Sequence, residues 1–502
     1  MHELAHANGP TERCNWRQVN WTEVNRVVRN LRQRIFRATS EGDLKKVRSL
    51  QKLLLRSRAN VLQSVRRATQ QNKGRRTPGV DRRVILTDHA RGRMADDLLR
   101  YQPWRVKPVR RAYIPKTNKK RRPLGIPTIK DRCLQAMVKN ALEPEWEARF
   151  EPTSYGFRPG RSCQDAMAKI FQLTRSDCRR KWVIDADIQG AFDNISHSYL
   201  LEAIGQFPAR ELVKQWLKAG YVEMGRLHET LAGVPQGGIV SPLLANVALH
   251  GMEQALEIKR DRHGNLQSSR AFVRYADDFV VLCESQEDAV ACIHVLEEWL
   301  ALRGLQFSEE KTRIVHLQDG FEFLGFHIRH HKDRRTRNGW VQRIKPSADS
   351  VKRIREKLRG IWRKGQCLPM EDLLPQLNRV IRGWAYYFRT QASTKTFVAM
   401  DNWMFRREVR FVKHRHGDKS WKWLHVRYWG RLHPTRRDRW VFGMPEQGLF
   451  LQKFSWIRFQ RHTLVRGMAS PDDPNLSAYW AQRRLRLRAT RVLPNPSGTA
   501  FR

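Results

Sequence analysis

The seven cysteines, at 14, 133, 163, 178, 283, 292 and 367, include no Cys-x-x-C pair, so neither a zinc ribbon nor a disulfide framework is written here, and reduced thiols are expected. Long apolar runs are missing too. No stretch approaches the roughly 18 uncharged apolar residues of a bilayer span, and the mean hydropathy of −0.65 points to a soluble chain with no membrane partner. Residues 1–13 hold no apolar block of the kind that drives secretion, so the expected location is cytoplasmic, nucleoid-associated if bacterial. Acid is also scarce. Forty-nine Asp and Glu stand against 95 Lys and Arg, a net charge of +46, with the excess heaviest toward the two ends. Solubility asks for only ~2 to 8 charges in a small domain. The remainder, interleaved with aromatics, reads as a footprint for a phosphate backbone.

The 502 residues are 40% hydrophobic, which excludes disorder as the main state and suffices for about two to four domains. Residues 21 to 72 carry a helical period: Leu44, Val47, Leu50, Leu54, then Val61, Leu62 and Val65, with cations between them. A Gly- and Pro-punctuated loop with three cations follows at 72–81. From 104 to 330 short apolar runs alternate with helical stretches, the texture of an α+β domain. Beyond Pro346 the helical period returns, with Val351, Ile354, Leu358 and Ile361 as one stripe and Leu377, Val380, Ile381, Trp384 and Phe388 as another. Ten of the seventeen tryptophans lie from Trp340 onward, which sets a basic C-terminal region apart. The expected divisions are 1–70, 71–335, 336–395 and 396–502.

Two acidic strands carry the chemistry. Residues 271–282 place Asp277 and Asp278 between apolar runs, a β-hairpin with carboxylates at its tip. By itself such a pair suits a solvated turn. Residues 182–188 alternate acid and apolar, so period two sends Asp185 and Asp187 to one face of a strand. Carboxylates gathered without partners are costly, and a divalent cation is their natural partner. If the strand lies beside the hairpin, Asp187, Asp277 and Asp278 converge and can hold two Mg2+ ions for nucleotidyl transfer.

The blocks Tyr275-Ala276-Asp277-Asp278 and Asp187-Ile188-Gln189-Gly190-Ala191-Phe192 have company. Tyr113-Ile114-Pro115-Lys116, Arg121-Arg122-Pro123, Ser154-Tyr155-Gly156-Phe157-Arg158-Pro159, Val234-Pro235-Gln236-Gly237 and Phe323-Leu324-Gly325 occur in the same chain. Their ordered set resembles the reverse transcriptases encoded by group II introns. The resemblance covers residues 70 to 330, and Leu377 to Phe388 is similar to that family's maturase motif. It implies an α+β right-hand polymerase: fingers and palm with an antiparallel sheet, a helical thumb and a basic C-terminal DNA-binding region.

What the resemblance implies extends to single residues. Asp187, Asp277 and Asp278 become metal carboxylates, with the Ile188 carbonyl as a further ligand to two Mg2+. Phe192 falls where an aromatic excludes a 2′-hydroxyl, although a core aromatic fits as well. Lys116 and Arg122 would hold the incoming triphosphate. Gln236 would contact the nucleotide, with a purely structural turn as the other reading, and Lys311 would protonate pyrophosphate. Lys73, Arg75 and Arg76 fall in the extension that touches template. Arg379, Arg382 and Arg389 are the RNA candidates of the maturase helix, where Trp384 and Phe388 read as core.

The implied partners are a group II intron RNA, a DNA target and dNTPs. The rival readings are a splicing cofactor that binds RNA without polymerising and a free-standing reverse transcriptase of repair or defence. Two departures stand out. No cysteine follows Cys367, so the H-N-H nuclease module with its two cysteine pairs is not expected, nor is second-strand cleavage. His2-Glu3-Leu4-Ala5-His6 fits a zinc-protease pattern but has no room for a supporting core at the terminus.

Overall fold

The computed structural model describes residues 14–100, 103–115, 121–261 and 264–489. His2, His6 and Lys116 lie outside the described residues. The helical period over 21–72 becomes three helices, Trp21–Ser40, Leu44–Arg56 and Arg58–Arg66. Gly42, at φ +76°, breaks the first run, and Asp43 accepts from the Lys46 amide to start the second. A helix cannot pass a left-handed residue and a new N-cap without turning. These helices pack on the long helix Ile129–Glu147, where Arg48 pairs with the buried Glu145 at 2.6 Å.

The central sheet has four antiparallel strands in the order Ala271–Tyr275, Asp278–Cys283, Trp182–Ala186, Arg313–His316. Their alternation divides the core. Ile184, Phe272, Phe279 and Val281 face a cluster built with the helices Ser241–Ala248 and Gln286–Ala301. Val183, Val273, Val280 and Leu282 face the other way, into a cluster that takes in Met167 and Phe326. That second cluster continues through the helices Ala348–Lys364, Met370–Phe388 and Thr394–Arg415, by Leu358, Ile381 and Phe411, as far as Trp480. Each such side chain, fully buried, contributes roughly 1.5–3 kcal/mol, which ties the C-terminal helices to the sheet.

A second sheet pairs the hairpin Val109–Pro115 and Arg121–Ile126 with the short strands Tyr221–Glu223 and Arg226–His228. The hairpin is pinned at its base, where the Gly125 amide donates to the Gln236 carbonyl at 2.7 Å. Residues 440–489 fold back over the molecule. Asp472 there pairs with Arg32 at 2.6 Å, across 440 positions of sequence.

Candidate active site

Asp185 and Asp187 look alike in sequence, and the sheet register separates them. Asp185 stands opposite Arg313, whose guanidinium bonds its carboxylate at 3.1 and 3.2 Å. Asp187 follows the last residue of that strand. Its carbonyl accepts from the Ser308 amide at 2.8 Å, and the Gln189 amide donates to the Gln306 carbonyl at 3.0 Å. Those two bonds bracket the buried Ile188 and do not use its carbonyl. The same return of chain carries Lys311, whose Nζ lies 2.5 Å from Asp187 Oδ2.

Tyr275 pairs with Asp278 across the hairpin, leaving Ala276 and Asp277 in the turn. Ala276 adopts φ +60°, a left-handed conformation that costs a non-glycine residue roughly 1–2 kcal/mol. Its neighbours hold it there. Arg274, fully buried, donates from Nη1 to the Ala276 carbonyl and to Asn246 Oδ1, both at 3.1 Å. Asn246 in turn donates to the Gly156 carbonyl at 2.9 Å. Gly156 is glycine for a steric reason: a Cβ there would sit 2.2 Å from the Ala276 nitrogen.

The three aspartates share one electrostatic environment. Burial, then repulsion from Asp187, raises the Asp277 carboxyl, while Arg122 and Arg274 draw it back. Asp278 keeps part of its surface open, yet desolvation of its carboxyl, followed by repulsion from Asp277 and Asp187, pushes it up to about 7. The Lys311 ammonium is raised by its hydrogen bond to Asp187, with smaller attractions to Asp278 and Asp277. One lysine therefore answers all three acids. The oxygens of these aspartates do not all converge within 4.8 Å; among the described residues the set that does is Cys283, Asp288 and Cys292. There Asp288 is already neutralised by Arg270 at 2.7 Å.

The other expected site residues fall in two groups. Gln236 and Phe192 share one corner: Gln236 Nε2 lies 3.3 Å from Asp193 Oδ2, and the Phe192 carbonyl accepts from the Val234 amide at 2.6 Å. Phe192 is half-buried and meets Phe157 edge to face, with centroids 6.3 Å apart. Arg122 is exposed on the hairpin, near enough for its charge to reach Asp277. A different surface carries Lys73, Arg75 and Arg76, in one turn that Arg132 anchors through the carbonyls of Gly74 and Thr77 at 2.9 and 2.7 Å. Arg379 and Arg382 are exposed on the helix Met370–Phe388, and Arg389 lies over the Tyr386 ring at 4.3 Å. On that helix Phe388 is buried and Trp384 packs half-buried against the core.

Sequence reading passed over Arg274 and Phe157. The signal for Arg274 was a lone cation inside an apolar strand, which has to bury with partners. Phe157 carried no such signal: it is 49% exposed at φ +61°, and only its ring contact with Phe192 marks it.

Three families match in chain order. Residues 16–98 match the N-terminal domain of reverse transcriptase, 114–328 the reverse transcriptase (RNA-dependent DNA polymerase) family, and 351–429 the group II intron maturase-specific domain. The protein YkfC of Escherichia coli is 38% identical over 307 residues, 52% of this chain and 78% of that protein. The group II intron-encoded protein LtrA of Lactococcus lactis is 33% identical over 360 residues, 56% of this chain and 59% of LtrA's length. A 91 kDa protein in the cob intron of Schizosaccharomyces pombe is 27% identical over 63% of this chain and 48% of its own length. No helix among the described residues is long and apolar enough to cross a membrane. The acidic hairpin beside its acidic strand, the polymerase and maturase domains in order, and the identity to YkfC and LtrA make this chain a member of the group II intron-encoded reverse transcriptase family.

Proposed function

We propose that the site extends a DNA 3′ end on an RNA template, and that the same chain binds a group II intron RNA, assists its splicing and copies it at a DNA target. The observation that carries the catalytic part is the adjacency of the acidic strand and the acidic hairpin: Asp187 follows Ala186, which pairs with Phe279 beside Asp278, and two of the three carboxyls are raised by burial and mutual repulsion. Such a cluster wants positive charge. Its donors are all oxygen, which fits Mg2+. Asp187, Asp277, Asp278 and the Ile188 carbonyl would hold two such ions, which lower the pKa of the attacking hydroxyl and neutralise the departing pyrophosphate.

The remaining roles belong to the chain itself. Arg122 and Lys116 neutralise the triphosphate from the hairpin, and Gln236 seats the nucleotide beside them. Phe192, braced by Phe157, closes the space a 2′-hydroxyl would need. Lys311 stays protonated beside the acids and can give its proton to the pyrophosphate oxygen that the new bond displaces. Lys73, Arg75 and Arg76 on one surface, and Arg379, Arg382 and Arg389 on another, take RNA phosphates. In this reading residues 71–335 are fingers and palm, 336–395 the thumb, and 396–502 the DNA-contacting region.

Primer extension on an RNA template with dNTPs and Mg2+, beside Asp187→Ala and Asp277→Ala, tests it. Extension that both substitutions abolish, with RNA binding retained, is the expected result. A wild-type chain that binds RNA tightly and extends nothing would reduce the function to splicing.

A further inference from the structure

The strand that begins at Asp278 ends at Cys283, and the chain turns through Ser285 into the helix Gln286–Ala301. The Ser285 hydroxyl accepts from the Asp288 amide at 3.1 Å, which sets the first turn of that helix. Cys292 follows Asp288 by four positions, so the two share one helix face. That face meets the end of the strand. The Cys283 and Cys292 sulfurs lie 3.9 Å apart, and an oxygen of the Asp288 carboxylate lies within 4.8 Å of both.

Both thiols are fully buried, yet a charged side chain is brought against them. Cysteines that only fill a core behave as small apolar groups and need no carboxylate. Their sulfurs stand well beyond a disulfide bond of about 2.0 Å. They do match a tetrahedral ion: with about 2.3 Å to each thiolate, as for zinc, two sulfurs are about 3.8 Å apart. The carboxylate is held as a ligand is. Arg270 donates from Nε and Nη2 at 2.9 and 2.7 Å, both to Oδ1, which leaves Oδ2 for an ion. A donor behind a ligating carboxylate is the outer partner that orients it. Two thiolates, one carboxylate, one guanidinium and one divalent ion also carry no net charge, the condition for burying them together.

We infer that Cys283, Asp288 and Cys292 bind one thiophilic divalent cation of the Zn2+ class, separate from the Mg2+ ions proposed for the aspartates. Thiolates select Zn2+, whereas Mg2+ takes oxygen, so both sites can be filled at once. Three protein ligands leave the fourth position to water. Of the three only Asp288 reaches the surface, its side chain 26% exposed, so the ion enters on that side and displaces the two thiol protons to solvent as it binds. All three ligands fall within residues 283–292, so closing the ring orders little chain. Once in place the ion ties the strand that carries Asp278 to the helix packed against it. The site stands whether or not the acids polymerise.

Titration of the reduced full chain with Co2+, followed by absorption, tests the site. Cobalt stands in for zinc, and a thiolate bound to it gives a near-ultraviolet charge-transfer band that carboxylate ligands do not. The band should saturate at one Co2+ per chain, bleach on adding Zn2+ and survive excess Mg2+. Cys292→Ala should abolish it, and Asp288→Asn, at a partly exposed position, should weaken Co2+ binding about tenfold or more. Asp277→Ala should leave it intact, which separates this ion from the catalytic ones. So should the triple variant Cys163→Ser, Cys178→Ser, Cys367→Ser, which removes the cysteines that are not buried. No band in the wild type, a band that outlasts Cys292→Ala, or one lost in the triple variant would overturn the site. Should Cys292→Ala fail to fold, an unchanged Co2+ affinity in Asp288→Asn would overturn it as well.

Discussion

Arg274 reaches forward two residues to hold the Ala276 carbonyl at 3.1 Å, and in doing so a fully buried guanidinium fixes the turn that presents Asp277. Its burial lowers its own pKa to about 10, offset by Glu151 and Glu253 nearby. The geometry makes Arg274 a positioning residue. Arg274→Lys should keep the charge, lose the forked pair of bonds to Asn246 and Ala276, and lower kcat for primer extension about 100-fold, with KM for dNTP little changed. Steady-state kinetics on protein with an unaltered circular dichroism spectrum checks this. A change in KM alone would contradict it.

Gly156→Ala tests the same turn from its other side. The added methyl would lie 2.2 Å from the Ala276 nitrogen, so one of the two backbones must shift. Overpacking of this kind costs about 1–3 kcal/mol. We expect a fall of that size in urea-denaturation stability, with extension down about tenfold or more.

Phe157 braces Phe192 edge to face and is otherwise open to solvent. Phe157→Ala should let the Phe192 ring rotate and admit ribonucleotides. The ratio of kcat/KM for dNTP over rNTP should fall about tenfold, and further in Phe192→Val. An unchanged ratio in Phe192→Val would remove Phe192 from sugar selection.

Glu408 carries a pH signature far from the acids. It is buried, accepts from the Trp429 indole at 3.1 Å, and burial pushes its carboxyl up to about 7. Because the folded pKa exceeds the unfolded value, its contribution is full below pH 4.5 and is lost as pH rises through 7. The loss is about 3 kcal/mol at most. Glu408→Gln should flatten the fall in melting temperature between pH 5 and 7.5, and an identical pH profile in the variant would place the carboxyl in water.

The acids illustrate how much the chain could reveal about itself. Asp277 and Asp278 were legible because apolar runs on both sides can only be a hairpin, and Asp187 because alternation marks a strand. Asp185 shows the limit. Its local pattern equals that of Asp187, and only the register against the strand Arg313–His316 gives it a private cation. The single helical stretch over 21–72 likewise divided at Gly42, where capping and a positive φ overrode periodicity.

The sequence by itself determined the strands, the acidic turn and the basic balance, since each follows from period, spacing or composition within a few residues, and the family by the resemblance of its ordered motif blocks. The tertiary structure alone decided that one lysine answers three acids, that Arg274 holds the turn, and that Asp165 gathers His462 and Arg483 from about 300 positions away. Local signals report which face a residue takes. Which faces then meet is set by the packing of remote elements, and no periodicity in the chain encodes that distance.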